Sequence, residues 1–432
     1  MHLLVAGKSA FSRVIDGKPV PITIAGHTAQ FMRPLLSYAR ARGMSVSYAY
    51  PLQPAGCLMF DPDDTLPEGV LEVPFTDVEA AKAPLHVGYL SIEASLRQAV
   101  EQQGPIDWVF VPYAFPLSPL LAALKPKYGY KLALFLRGGD GYQWPDPQWE
   151  GALRVFGDPA QARHVCELYK QSLHAADFVG VASEWLGSVV DGFGGRWDAV
   201  VESPAAQWLG PGPEPAWDKE RFAADPGVVH RYGQPDTAKK WVISAGRIHP
   251  DKNLDLAADI FAGAGLDDWQ LVLSGAGGED AGIGDGSLTE LVGKGKAAVV
   301  QVPPRIIHAL FQVSDAYLQT SLPSATFVDA RPSSVTSAAF HGKPVVVPIA
   351  EAGGVAESLS PENLDAFGFD AVGLAPTDPA DRAELVRRGG AALGGLRDPR
   401  LFDLVGAANA RHAANSSVAA VFDRVWAALA ER

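Results

Sequence analysis

The sequence predicts an α/β protein of two doubly wound domains that face a central cleft. Three observations carry that expectation. The chain has 432 residues, more than one hydrophobic core usually serves, so two domains of about 200 residues each are expected. Short apolar runs without polar alternation recur between helical patterns, as in parallel strands covered on both faces. The alternation breaks off once, near 203–240, where prolines and glycines gather and periodicity is lost.

The elements follow in order. Residues 3–6 read as a first strand, and 28–42 as a helix that Gly43 stops. Strands are expected at 45–50, 108–112, 131–136, 178–182 and 199–202, with helices at 90–103, 117–124, 159–175 and 184–193 between them. These make an N-terminal domain over 1–203, followed by a linker over 204–240. The second domain, 241–405, restarts the alternation. It has strands at 242–244, 270–274, 298–302, 316–319 and 344–348, and helices at 253–264, 287–293, 306–314 and 334–341. A helix over 406–432 is expected to pack back on the N-terminal domain.

Composition narrows the class. Apolar residues make up 47% and charged residues 20%, as in soluble globular proteins. A formal net charge of −13 argues against a dominant nucleic-acid surface. Cys57 and Cys166 are the only cysteines; they cannot build a disulfide framework or a cysteine metal site, so a reducing cytoplasm is expected. No run of about 18 apolar residues provides a membrane span. The first residues are too short for a signal peptide and read as strand.

Four loops after strands of the second domain share one rim, and ligands of such sheets bind outside the carboxyl ends of the strands. In the first, a strand ends in Gly246-Arg247, and Lys252 follows just before a helix. Two cations beside a helix N-terminus suit a phosphate or diphosphate; a βα corner with solvated charges would look the same. In the second, Gly275 to Gly278 let a ligand approach the backbone. The third runs from Val302 to Arg305 and could read a nucleobase edge. The fourth carries Asp329, Arg331, Ser333, Ser334 and Ser337. Ser333 or Ser334 would cap the helix, whose free amides suit a phosphate; ordinary capping beside solvated Asp329 and Arg331 is the structural alternative. A Gly353-Gly354 turn and Glu357 come next. Asp61 to Asp64 read as a solvated turn rather than a metal motif.

In this order the loops resemble the donor domain of retaining glycosyltransferases of family 4, which have the GT-B fold of two Rossmann-like domains. The family's Gly-Arg and its later lysine are matched by Gly246, Arg247 and Lys252. Its glycine turn resembles Gly275 to Gly277, and its Gly-Gly-x-x-Glu resembles Gly353, Gly354 and Glu357. Its hallmark is two glutamates eight positions apart before a Gly-x-Pro-Val-Val tail. That tail is present from Gly342 to Val346, with Asp329 at the first glutamate position and Ser337 at the second. In the first half, Gly26-His27 sits where the family has Gly-Gly, and Arg137 to Asp140 resembles a strand-end motif facing the donor sugar.

The resemblance implies transfer of a sugar from a nucleoside diphosphate sugar to a hydroxyl acceptor with retention, without metal or cofactor. Asp329, Arg137 and Asp140 would act at the sugar. Gly246, Arg247, Lys252, Gly275, Gly277, Val302, Arg305, Ser333, Ser334 and Ser337 would bind the donor. Gly26, His27 and Tyr113 would meet the acceptor. Asp329 is one methylene shorter than the family's glutamate, and Ser337 offers the ribose only a neutral bond. A nucleotide-sugar epimerase and a non-catalytic nucleotide-sugar-binding protein are the alternatives. Many relatives bind membrane surfaces through a basic helix. Here 28–42 carries Arg33, Arg40 and Arg42 beside Phe31, Leu35, Leu36 and Tyr38, but the chain's acidity favours a core-packed helix.

Overall fold

The protein is represented by a computed structural model that describes residues 1–7, 13–15, 18–20, 31–52, 66–76, 85–114, 117–138, 159–209, 213–246, 248, 252–275, 286–303, 306–324 and 328–432. The chain divides into two compact units, Met1–Ser203 with Val418–Arg432, and Pro204–Ser417.

The first unit runs β1 (His2–Ala6), β2 (Arg13–Ile15), β3 (Lys18–Val20), α1 (Arg33–Ala41), β4 (Ser45–Leu52), β5 (Val70–Thr76), α2 (Leu85–Gln103), β6 (Trp108–Val111), α3 (Leu117–Tyr128), β7 (Lys131–Leu136), α4 (Pro159–Ala175), β8 (Phe178–Val181), α5 (Glu184–Gly192) and β9 (Ala199–Val200). Seven strands form a parallel sheet in the order β5-β4-β1-β6-β7-β8-β9. Strands β1, β6 and β8 are buried throughout, which is why they read as unbroken apolar runs. β5 went unforeseen because Pro74 interrupts it; as the edge strand it tolerates a residue that cannot donate to a ladder.

The second unit runs α6 (Lys219–Ala224), β10 (Val229–Tyr232), β11 (Lys240–Ala245), α7 (Leu254–Ala264), β12 (Trp269–Ser274), α8 (Ser287–Gly293), β13 (Ala297–Gln301), α9 (Ile307–Val313), β14 (Ala316–Leu318), α10 (Ser333–Phe340), β15 (Val345–Ile349), α11 (Pro361–Phe367), β16 (Gly368–Asp370), α12 (Pro379–Gly394) and α13 (Pro399–His412). Its sheet order is β10-β13-β12-β11-β14-β15-β16, parallel except where β10 joins β13 antiparallel. Ser360, Asp378 and Asp398 cap α11, α12 and α13, each with proline at the first helical turn.

Two expected boundaries change. The stretch 204–240 is not a bare linker: Asp218 caps α6, Phe222 is fully buried, and β10 extends the second sheet. The mostly exposed β10 shows no apolar run, so sequence patterning passes over it. The segment 406–432 is not one helix either. It holds the end of α13 and a 3-10 turn, Ala413–Ser416, in the second unit, then α14 (Val418–Ala430) in the first. Val421, Phe422, Val425 and Leu429 of α14 pack in one core with Phe31, Leu35 and Leu36, so the apolar face of α1 lies within the protein. Among the described residues no helix is long and apolar enough to cross a membrane.

Candidate active site

The second sheet reverses its order at β11: the chain leaves to one side through β12 and β13 and returns on the other through β14 to β16. The crevice outside the carboxyl ends of β11 and β14 is where doubly wound sheets hold ligands. Two charged residues meet there. Lys252, after β11, donates from Nζ to both carboxylate oxygens of Asp329, after β14, at 2.9 and 2.8 Å. The pair is largely buried, with side chains 18% and 15% exposed.

Local geometry aims the lysine. Asn253 takes the left-handed conformation at φ 47°, which its short polar side chain tolerates. Its Nδ2 donates to the Thr320 carbonyl at 3.2 Å, and the Thr320 hydroxyl donates to the Lys252 carbonyl at 2.8 Å. The corner after β11 is thereby stitched to the exit of β14. At Gly246 a Cβ would lie 3.7 Å from Lys252 Cε, so the lysine stem runs against this turn.

Asp329 is held from a second side that the sequence did not single out. Gln319 Nε2 donates to Asp329 Oδ2 at 3.0 Å. Two residues earlier, the Tyr317 hydroxyl lies 3.2 Å from Gln319 Oε1, 2.9 Å from Ser334 Oγ and 3.1 Å from the Ala245 carbonyl oxygen. Burial pushes the Tyr317 phenol up to about 12, so it keeps its proton at neutral pH. One phenol therefore joins the end of β11, the holder of Asp329 and the first turn of α10. The available signal was a tyrosine in a short strand and a glutamine two residues on, just past the strand's end.

Behind Asp329 stands the Gly-Gly turn. Gly353 has φ 109°, and a Cβ there would fall 2.8 Å from the Asp329 carbonyl oxygen; Gly354 donates its amide to that oxygen at 3.3 Å. Arg331 is not a solvated charge: its Nε donates to Ser358 Oγ at 3.1 Å and its Nη2 to the Glu357 carbonyl at 3.3 Å. Glu357 thus helps to fasten the two loops.

Several expected roles are corrected. Neither Ser333 nor Ser334 caps α10, because Pro332 takes the cap position without a side-chain bond. Ser337 is fully buried. Its hydroxyl donates to the Ser333 carbonyl at 2.7 Å and accepts the Ala206 amide at 2.9 Å, so it serves the fold and not a ribose. Arg137 is buried over the Phe31 ring, its guanidinium bonded to the Val201 carbonyl and the Ser203 hydroxyl; these bonds tie the end of β7 to 201–203. Gly275 lies where a Cβ would meet the Gly246 carbonyl oxygen at 2.1 Å, so close pairing of the β11 and β12 exits by itself requires glycine. Val302 is buried after β13, and Tyr113 is half-buried after β6. Gly26, His27, Cys57, the 61–64 turn, Asp140, Arg247, Gly277 and Arg305 lie outside the described residues. Among the described residues no group of three or more His, Cys, Asp or Glu side chains could hold a metal ion.

No protein-family description and no curated protein matches the chain. Solved structures do. The HepE protein of Anabaena in complex with UDP-glucose is similar over 100% of both chains, with TM-score 0.61 and 16% identity. A glycosyltransferase from Rickettsia africae is similar over 100% of this chain and 98% of its own, with TM-score 0.64 and 13% identity. Sucrose-phosphate synthase from Thermosynechococcus elongatus is similar over 99% of each chain, with TM-score 0.61 and 13% identity. At such identities the likeness establishes architecture: the chain has the GT-B fold, an α/β arrangement of two doubly wound units.

Proposed function

We propose that this chain is a glycosyltransferase that moves a sugar from a nucleoside diphosphate sugar to a hydroxyl acceptor, with retention of configuration. The observation that carries the reading is the Lys252–Asp329 pair at the switch point of the second sheet. In this reading the donor diphosphate draws the Lys252 ammonium onto itself. Arg247 and the first amides of α10 neutralise the rest of the charge that grows on the leaving group. Asp329, released from its ion pair, faces the cationic, oxocarbenium-like sugar. The acceptor proton passes to a diphosphate oxygen, so the scheme needs no protein base and no cofactor. Asp140 keeps its assignment at the sugar, and Gly26, His27 and Tyr113 theirs at the acceptor. Gly277, Val302 and Arg305 keep theirs at the donor. That the similar Anabaena protein was solved with UDP-glucose, and with UDP and glucose, supports a nucleotide-sugar donor here.

The test is a thermal-shift screen with UDP, GDP, ADP and their glucosides, followed by donor hydrolysis and an acceptor panel. A nucleotide selective for the native state raises the melting temperature. Lys252→Ala is expected to cut donor turnover about a hundredfold, the usual loss for one preorganised charge contact. Turnover unchanged by Lys252→Ala overturns the diphosphate assignment. Binding without turnover across the panel identifies a binding protein instead.

A further inference from the structure

The Tyr317 ring belongs to the core of the second unit. It is fully buried, shares that core with Trp241, Ile243, Val272 and Val345, and lies stacked on Phe311 with centroids 6.1 Å apart. A phenylalanine would fill the same space, so packing alone asks for no hydroxyl here. The hydroxyl meets three segments that all belong to the candidate site. The Ala245 amide and carbonyl, which end β11 just before Gly246 and Arg247, lie at 3.4 and 3.1 Å. Gln319 Oε1 lies at 3.2 Å, and Ser334 Oγ, in the first turn of α10, at 2.9 Å.

Counting donors gives this cluster a direction. The Asp329 carboxylate only accepts, so Gln319 turns its Nε2 to it and leaves Oε1 facing the phenol. Oε1 then needs a proton, and Tyr317 is its one donor among the described residues. Ser334 can give its own proton to the phenol oxygen, which leaves the phenol proton for Oε1 and the Ala245 carbonyl. Without the phenol, Oε1 is a buried acceptor that has lost its donor, and the Gln319 amide is held at one end only. That matters most in the donor complex. Once Lys252 has turned to the diphosphate, the Gln319 amide is what remains on Asp329.

We propose that Tyr317 is a positioning residue for cleavage of the donor: acting through Gln319, its hydroxyl keeps the Asp329 carboxylate aimed after Lys252 has left it. This rests on the donor reading given above and adds to it a group that touches neither nucleotide nor sugar.

The experiment is a double-mutant cycle of Tyr317→Phe and Gln319→Leu. Turnover of UDP-glucose, ADP-glucose and GDP-mannose is measured at a temperature where circular dichroism shows all four proteins folded, and calorimetry gives their affinities for UDP, ADP and GDP. Tyr317→Phe is expected to lower kcat about tenfold, the scale of one preorganised donor, while the preferred nucleotide binds within twofold of wild type. In the Gln319→Leu background the same substitution should change kcat by less than about twofold, because residues acting in one chain of bonds are not additive. A kcat within twofold of wild type in Tyr317→Phe overturns the proposal. So does a full tenfold loss in the Gln319→Leu background, since a hydroxyl that merely serves the fold would act without regard to Gln319. Weakened nucleotide binding with kcat retained overturns it as well, and leaves the donor reading standing. A wild-type protein that turns over none of the three nucleotide sugars overturns the transferase reading and this proposal together.

Discussion

Asp329 is surrounded by more constraint than an isolated loop carboxylate needs. Lys252 and Gln319 hold its oxygens, while Gly353 and Gly354 press on its carbonyl. Only glycine combines a φ of 109° with that approach. Gly353→Ala is therefore expected to cost about 1–3 kcal/mol of local strain and, by moving Asp329, to lower donor turnover far more than it lowers the melting temperature. Turnover near wild type in a correctly folded Gly353→Ala protein would show that the turn does not position the carboxylate. Gln319→Leu probes the other side: it removes the amide that remains on Asp329 once Lys252 turns to the diphosphate. Its kcat for donor hydrolysis should fall about tenfold or more, as for loss of one preorganised donor, with little change in UDP affinity. A tenfold loss of UDP affinity with kcat unchanged would assign Gln319 to nucleotide binding instead.

Helix α10 shows at the element scale why part of the site was legible and part was not. Apolar runs, glycine stops and the Gly-x-Pro tail placed the strand and helix order, because burial on both faces writes itself into composition. That order placed the loops of Lys252 and Asp329 on one rim, after neighbouring strands, but not the ion pair between them. What spacing along the chain could not tell is which way a helical side chain points. Ser337 and His341 lie one turn apart and both turn to Ala206, Ser337 accepting its amide and His341 Nε2 lying 2.9 Å from its carbonyl oxygen. Ser337→Ala should thus lower stability by about 1–3 kcal/mol, the penalty for a buried amide left unpaired, and leave UDP affinity within twofold; the reverse pattern would restore Ser337 to the nucleotide. Burial holds the His341 imidazole below the usual histidine range, against the opposing bond to Ala206. As pH falls below about 6.5, the unfolded chain takes up this proton before the folded one does. The folded state consequently loses stability towards acid. His341→Gln keeps an amide donor without the titration, so its melting temperature should fall less than that of wild type between pH 7 and pH 5. Parallel pH profiles would show that His341 is not the titrating group.

At the scale of the whole molecule the first unit is discontinuous in sequence. It is closed by a helix that the chain makes only after completing the second unit. α14 is fastened to α1 at both faces. The Phe422 ring lies 5.4 Å from Phe31 and 5.5 Å from Tyr38, and Asp423 bonds to the Tyr38 hydroxyl and to Arg42. Burial, helped by Asp423, pushes the Tyr38 phenol up to about 12, so this clasp stays protonated through the neutral range. The exposed Arg42 pair contributes little by itself. The weight lies in Val421, Phe422, Val425 and Leu429, each no more than 3% exposed. At about 1.5–3 kcal/mol for each buried side chain, these four rival the about 5–15 kcal/mol that stabilises a typical domain. Deleting residues 418–432 should accordingly unfold the first unit while the second, whose own core excludes this helix, continues to melt cooperatively. Scanning calorimetry of the truncated chain should show the transition of the second unit without that of the first, and the exposed apolar face of α1 should make the protein prone to aggregate. Two transitions at unchanged temperatures in the truncated chain would mean that the first unit folds without its closing helix.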